Sequence, residues 1–336
     1  MKYYYYNPFS RQYYFPEGFD NYPVFSTFYK AYKFNARLFW KMWRNSSFVR
    51  NLFYTNHAEN ILPINQISKY VSAGSVVAYN LGTKGIEQKI TALSIDTITH
   101  ETFFIKYATS TIAIANVLNE AAVLKQLSAL SFVPELILSA HEDQLFTLIK
   151  TTVLAGDKME HHLLNKQLLD ILFTLSKQHV KSHRNYKSDL LNCFAHGDFC
   201  PWNMVVNDGE IKLFDWELAG QYPLGYDLFT YIFQYQFLVK EIKRFDKVLK
   251  ENEFIIQQYF DYFEIDDWTP YLQEFAKLKY EIALKKNNAE LIDTYRNMKQ
   301  ELKTNDYLEK STVEISSVPL FRDEAVEISQ RNNLVS

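Results

Sequence analysis

Residues 195–203 read AHGDFCPWN, and FDWE follows at 214–217. Asp198 stands five residues ahead of Asn203, and Asp215 lies twelve beyond Asn203. Between them the turn NDG (207–209) separates the β-prone runs MVV (204–206) and IKLF (211–214), a strong hairpin signal. A hairpin of this size lets the three polar side chains converge on one small volume. Two carboxylates and an amide oxygen are hard oxygen donors, the set that Mg²⁺ accepts when phosphates complete its shell. A carboxylate left off the metal can orient a hydroxyl. An Asp-rich hairpin that only caps its own backbone would not need this joint spacing.

HGDFCPWN followed by FDWE resembles the catalytic loop and metal motif of the aminoglycoside phosphotransferase and choline kinase group of the protein-kinase-like fold, written H-G-D-x-x-x-x-N and I-D-W-E or a close variant. The P-W-N ending is similar to that of bacterial small-molecule kinases rather than protein kinases. The resemblance covers about residues 76–238. It implies an α+β, bilobal fold: a small β-rich N-lobe with one helix and a larger, mainly helical C-lobe. It also implies Asp198 as the catalytic base, His196 as the support of its loop, Asn203 and Asp215 as Mg²⁺ ligands, and ATP as the donor. In phosphoryl transfer the protein mostly positions and neutralises charge. Glu217 is not expected to replace Asp215 as a ligand without movement of the loop.

A kinase-like small lobe needs a strand lysine and a helix carboxylate ahead of the catalytic loop. QKITALSI (88–95) and TFFIKYA (102–108) read as adjacent strands separated by a polar turn. Lys106 sits inside the second, an unfavourable place for an ammonium without a partner. Residues 110–130 carry Ile112, Ala115, Leu118, Ala122 and Leu127 at helical spacing and stop before Pro134. Glu120 is the only acid between 110 and 134, so Lys106 and Glu120 are expected to pair. An exposed lysine on an edge strand is the alternative.

Residues 135–140 and 145–151 read as two further strands, and after Gly156 the pattern turns mainly helical. Gly82 and Gly85, in GTKG ahead of the first strand, are placed to bring backbone N–H groups to phosphate oxygens, although G-x-G-x-x-G is not met and a plain hairpin has the same look. Residues 148–156 lie where the resemblance puts the inter-lobe hinge that receives adenine. Asp227 either steadies the catalytic loop, as the resemblance implies, or caps the helix that begins near Tyr226. Cys200, four residues after His196, suggests a thiol–imidazole pair, but a variable position of a metal-binding loop explains it more simply. His161 and His162 face different ways on a helix and lack a third ligand, so they read as surface residues.

The chain of 336 residues divides by composition into an aromatic-rich basic N-terminal extension (1–70), an N-lobe (71–151), a C-lobe (152–320) and a tail (321–336). With 36 basic and 39 acidic side chains there is no global field for a polyanion, which argues against nucleic acid. Two cysteines, Cys193 and Cys200, are too few for a disulfide framework or a zinc site and point to a reducing compartment, with the cytoplasm expected. No apolar run reaches membrane-spanning length, and the start lacks the pattern of a secretion signal.

The first 54 residues hold 21 of the 55 aromatic rings. Residues 21–58 contain no acid but carry Lys30, Lys33, Arg37, Lys41, Arg44 and Arg50. On a helix the first five fall within about 80° of one another. Two readings stay open: peripheral contact with an anionic membrane through residues 28–53, or a helix packed on the fold with a solvated cationic face.

Together these features predict transfer of the γ-phosphoryl group of ATP to a hydroxyl of a small molecule, namely a sugar, amino sugar or amino alcohol. Asp261, Glu264, Asp266 and Asp267 would suit an amino sugar, or are a solvated helix end. Two alternatives compete. One is a membrane-surface kinase of a lipid-linked or envelope glycan sugar, because GTKGIEQKI (82–90) is similar to loops in kinases encoded for surface polysaccharides. The other is a pseudokinase interaction module, against which the retained Lys106, Glu120, Asp198, Asn203 and Asp215 count.

Overall fold

Runs rich in Tyr, Phe, Val, Ile and Thr suit a pleated, half-buried surface. They build one antiparallel sheet from β1 (Tyr3–Tyr6), β2 (Tyr13–Pro16), β3 (Tyr54–Thr55), β4 (Val76–Asn80), β5 (Ile90–Ile95), β6 (Thr102–Ala108), β7 (Leu136–Glu142) and β8 (Phe146–Thr152). Its spatial order is β3-β1-β2-β4-β5-β6-β8-β7. The computed structural model describes residues 2–6, 11–29, 34–143, 145–159, 164–182, 184–186, 188–240 and 244–304. Two compact units partition the chain at residues 278 and 279.

The segment 1–70 is not a separate extension, because β1, β2 and β3 continue the same sheet as 71–151. Strand alternation explains why. Tyr4, Tyr6 and Phe15 face one side, with Ala78, Leu93 and Ile95 of the neighbouring strands, and cluster with Phe19, Phe25, Trp40 and Trp43. Tyr3 and Tyr14 face the other side, with Val77, Tyr79, Ala92, Ile105 and Tyr107. The aromatic excess of the N-terminus is therefore core.

The helix Phe34–Asn45 packs through Trp40 and Trp43, whose rings stack at 5.4 Å, and Trp43 stacks on Phe19 at 5.5 Å. Arg37 and Lys41 are exposed on its outer side. Arg50 leaves the expected cationic patch: it is buried, pairs with Asp20 at 2.8 Å and donates to the Arg44 carbonyl. Lys30 and Lys33 lie outside the described residues, as do His161, His162 and the tail 321–336.

Strand β6 has the bounds expected from sequence, whereas β4 has no counterpart among the expected strands, so the Gly82–Gly85 loop joins β4 to β5 and does not precede the first strand. Ser110 caps the helix Thr111–Gln126 by accepting from the Ala113 N–H at 3.3 Å. Ala113, Val117 and Ala121 seat that helix against Ala108 and Ile149 of the sheet.

The chain beyond is mainly helical, with Lys166–Ser176, Phe245–Asp261 and Thr269–Lys285. Short strands are set among these helices: β9 (Asp157–Lys158), β10 (Asn192–Ala195), β11 (Met204–Asn207), β12 (Glu210–Leu213) and β13 (Gly220–Pro223). β11 and β12 form the expected hairpin, turning at Asp208 and Gly209 with φ of 51° and 80°. β10 pairs with β13 and so brings the two ends of the segment 192–223 together. The result is a mixed α+β fold of a sheet-rich lobe and a helical lobe. In the C-terminal unit, the helix Ala289–Thr304 brings Lys299 4.4 Å from the centre of the Tyr280 ring. Among the described residues, no helix is long and apolar enough to cross a membrane.

Candidate active site

The site is built on three supports: strand β6, the helix Thr111–Gln126, and the segment from β10 to β13. Strand β6 turns Lys106 inward, where its Nζ lies 2.6 Å from Glu120 Oε2 and 2.5 Å from Asp215 Oδ1. The expected Lys106–Glu120 pair is present, and Asp215 joins it. Burial alone would lower the Lys106 pKa, but Asp215 and then Glu120 outweigh it and hold the ammonium above its ordinary value. Burial would likewise raise Asp215, yet Lys106 and Lys89 pull its carboxyl down to about 2. Glu120 is raised, first by burial and then by the nearby Asp215 charge, which together exceed the pull of Lys106.

Asp215 takes a left-handed backbone conformation, φ 70°, rare for a residue with a Cβ and common where a carboxylate must be aimed. Its neighbour Trp216 donates its backbone N–H to Glu120 Oε1 at 3.4 Å. Glu120, Asp215 and Glu217 bring ligand oxygens within 4.8 Å of one another. Glu217 thus stands beside Asp215 with a carboxylate oxygen in the same small volume. The donor set is all oxygen and anionic, which fits Mg²⁺.

The loop 195–203 is held from behind. Asp227 accepts from the backbone N–H groups of His196 at 2.6 Å and Gly197 at 3.0 Å, so it steadies the loop. Gly225, at the start of the helix Tyr226–Phe229, leaves that helix without a side-chain cap. Gly197 has φ +85°, and a Cβ there would come 2.2 Å from the Leu218 carbonyl oxygen, so only glycine fits. His196 is fully buried, and burial lowers its pKa, which keeps the ring neutral. Its Nε2 lies 3.0 Å from the Phe214 carbonyl and its Nδ1 accepts from the Asp198 N–H at 3.3 Å. The ring therefore bonds the loop to the residue before Asp215.

Both oxygens of Asp198 are oriented. Asn203 Nδ2 donates to Oδ2 at 2.9 Å and Gln234 Nε2 donates to Oδ1 at 2.9 Å. Because the Asn203 nitrogen faces Asp198, its amide oxygen is the atom on offer to a cation. Cys200 is buried and directs its thiol to Asp198 Oδ1 at 3.6 Å, while both His196 nitrogens are engaged elsewhere, so no thiol–imidazole pair forms.

Residues 160–246 match the phosphotransferase enzyme family, APH. The match contains both the HGDFCPWN loop and FDWE. No curated protein sequence matches the chain. Several solved structures are similar to it. The amicoumacin kinase hAmiN, in complex with AMP-PNP, Ca²⁺ and Ami, is 14% identical, with 67% of this chain and 87% of that one covered and a TM-score of 0.45. A GDP and kanamycin complex of the aminoglycoside phosphotransferase APH(2″)-IIIa is 11% identical, with 74% and 100% covered and a TM-score of 0.47. A thermostable mutant of aminoglycoside phosphotransferase APH(4)-Ia in its apo form is 10% identical, with 75% and 100% covered and a TM-score of 0.49.

Several residues of this phosphotransferase-like site give no signal in the sequence. Gln234 ends a π-helical turn, Thr230–Gln234, and reaches Asp198 from 36 residues away. Asn119 donates to the carbonyls of Glu217 at 3.2 Å and Ala219 at 2.9 Å, pinning the Glu120 helix to the FDWE segment. Arg184 donates to the Glu217 carbonyl at 3.2 Å and to Asn116 at 2.6 Å. Glu217 is the one residue that its place in FDWE would have exposed to view. Gly82 and Gly85 sit in the loop 81–89, where Gly82 has φ +68° and the Lys89 carbonyl leaves no room for a Cβ. Lys89, at the base of that loop, pairs with Glu217, and burial lowers its pKa. Asp261, Glu264, Asp266 and Asp267 are exposed. Asp267 caps Thr269 at 2.9 Å and Asp261 accepts from Gln257 at 2.6 Å, the behaviour of a solvated helix end.

Proposed function

We propose that the chain is an ATP-dependent, Mg²⁺-requiring phosphotransferase acting on a hydroxyl of a small molecule, of the sugar, amino sugar or amino alcohol kind. One observation carries the reading. A carboxylate oriented on both oxygens, Asp198, is joined through His196 and Phe214 to a cluster of three carboxylates and a buried lysine. The family match over residues 160–246 supports the phosphotransferase class.

In this reading Asp198 accepts the proton of the acceptor hydroxyl, the acceptor oxygen bonds to the γ-phosphorus, and the bond from that phosphorus to the β–γ bridging oxygen breaks, releasing ADP. Lys106, fixed by Glu120, neutralises phosphate charge. Asn203, Asp215 and Glu217 would hold Mg²⁺, which when bound screens the triphosphate and orients its terminal group. Gly82 and Gly85 would bring loop 81–89 over the phosphates. A pseudokinase would have no need to keep Lys106 between two carboxylates. The test is a screen of phosphoryl acceptors over amino sugars, choline-like alcohols and glycan sugars, with wild type and Asp198→Asn compared. Turnover lower by at least about a hundredfold in the variant, with nucleotide binding intact, is the expected result. Equal turnover by the two proteins rejects the assignment.

A second reading concerns where the enzyme works. Leu38, Phe48 and Leu52 are 62%, 75% and 62% exposed, in a segment that also exposes Met42, Arg37 and Lys41 and holds no acid. Exposed apolar groups beside cations suit an anionic bilayer surface. Flotation with phosphatidylserine vesicles tests this, and equal recovery with neutral vesicles removes it.

A further inference from the structure

The lysine that GTKG offers to phosphate, Lys84, is exposed at the tip of loop 81–89. Lys89, at its base, is the loop lysine that enters the site. Gly82 N–H donates to Asn80 Oδ1 at 2.9 Å, Gln88 Nε2 to the Leu81 carbonyl at 2.8 Å, and Ser110 Oγ to the Ile86 carbonyl at 2.7 Å. The first two bonds fold the loop back on itself, so closely that a Cβ on Gly82 would lie 2.3 Å from the Lys89 carbonyl oxygen, and the third ties it to the N-cap of the helix Thr111–Gln126. The fold-back sends the Lys89 side chain under the loop to Glu217, leaving the two side chains 16% and 14% exposed.

Glu217 is itself fixed, since its carbonyl receives Asn119 and Arg184. Its carboxylate is one of the three oxygen donors gathered within 4.8 Å. Two ammoniums, Lys89 and Lys106, thus face three carboxylates. Lys106 is shared by two of them and cannot leave without stranding both. Lys89 holds one carboxylate from a loop, and that carboxylate is a candidate ligand of the cation that accompanies a nucleotide. A triphosphate presents more negative charge to Lys89 than a single carboxylate does.

We propose that Lys89 is a second nucleotide-phosphate ligand beside Lys106, and that its ion pair with Glu217 is a resting contact which the incoming triphosphate replaces. This rests on the kinase reading above. On exchange, Lys89 moves from Glu217 to phosphate oxygen, and the freed Glu217 carboxylate joins Asp215 toward the cation. A buried pair kept only for stability gains little over apolar residues of the same volume, so the exchange gives the pair a reason to be charged.

The experiment is equilibrium binding of ATP by calorimetry, in EDTA and in Mg²⁺, for wild type, Lys89→Met, Lys89→Arg and Glu217→Gln, each checked for folding by its unfolding temperature. Loss of a charge-assisted bond to phosphate should weaken binding by Lys89→Met about tenfold or more in both conditions, with Lys89→Arg recovering most of it. Glu217→Gln frees Lys89 and should bind ATP more tightly than wild type in EDTA, while gaining less from Mg²⁺. A merely structural pair would not produce that opposite movement. If wild type binds ATP but Lys89→Met binds equally well, or Glu217→Gln shows no gain in EDTA, the exchange is wrong while the kinase reading stands. If Lys89→Met does not fold, Lys89→Arg and Glu217→Gln decide by the same comparison. If wild type binds no ATP in either condition, the kinase reading fails and this inference with it.

Discussion

Replacing Lys106 with Met removes the ammonium that lies between Glu120 at 2.6 Å and Asp215 at 2.5 Å. Two carboxylates are then left facing each other, and breaking a buried pair from one side costs about 3–5 kcal/mol. Glu120→Gln is milder, because Lys106 keeps Asp215, and one charge-assisted bond is worth roughly 1.5–3 kcal/mol. Independent effects would sum to roughly 5–8 kcal/mol. The double variant has neither the ammonium nor the Glu120 charge, so it should lose only about 3–5 kcal/mol, a coupling on the order of 2–3 kcal/mol.

The Asp215 part has its own pH signature. Its carboxyl sits at about 2 against an ordinary 3.8, a difference worth roughly 2 kcal/mol. Because its side chain is 37% exposed, solvent screening brings this to about 1 kcal/mol. A depressed carboxyl stabilises the fold above its unfolded value and loses that contribution as pH falls through its folded value. The advantage of wild type over Lys106→Met should therefore shrink as pH drops from 3.8 toward 2. Urea unfolding of the four members of the cycle at neutral pH supplies the coupling. Additivity within about 0.5 kcal/mol would refute the shared-lysine argument.

Gly197→Ala meets both a positive φ and the Leu218 carbonyl, and should destabilise by at least about 2 kcal/mol in thermal unfolding; an unchanged midpoint would mean the loop can shift at no cost. His196 is buried neutral with a pKa below the ordinary 6.5, so the unfolded chain takes up its proton first and stability falls as pH drops below that value. The slope of unfolding midpoint against pH should flatten in His196→Gln, and parallel slopes would contradict a neutral ring. Gln234→Leu removes a donor from Asp198 and should lower turnover about tenfold while nucleotide affinity stays the same; a matched loss of affinity would point to general disruption of the site.

The sequence alone singled out Asp198, Asn203, Asp215, Lys106 and Glu120 by local spacing and scarcity, and the structure brings Lys106 to Glu120 and Asp215, and Asn203 to Asp198. A hairpin of known turn type fixes how far Asp215 can lie from Asn203, and a lone lysine in an apolar strand must find a charge. The same local logic placed β6 and the helix Thr111–Gln126. What it could not supply were contacts between segments far apart in the chain. The tyrosine runs of residues 3–16 read as an extension because their partners, β3 and β4, are remote; only pairing in the sheet turns their alternating rings into two core faces. The cationic segment lost Arg50 to Asp20, a bond no helical wheel contains. Asp227 had two readings of equal standing until its carboxylate was seen on the His196 and Gly197 amides. Gln234, Asn119 and Lys89 enter the site through a π-helical turn, a helix face and a folded-back loop. Side-chain identity and spacing set which groups could do chemistry, whereas long-range packing, driven by burial that is indifferent to chain order, decided which of them meet.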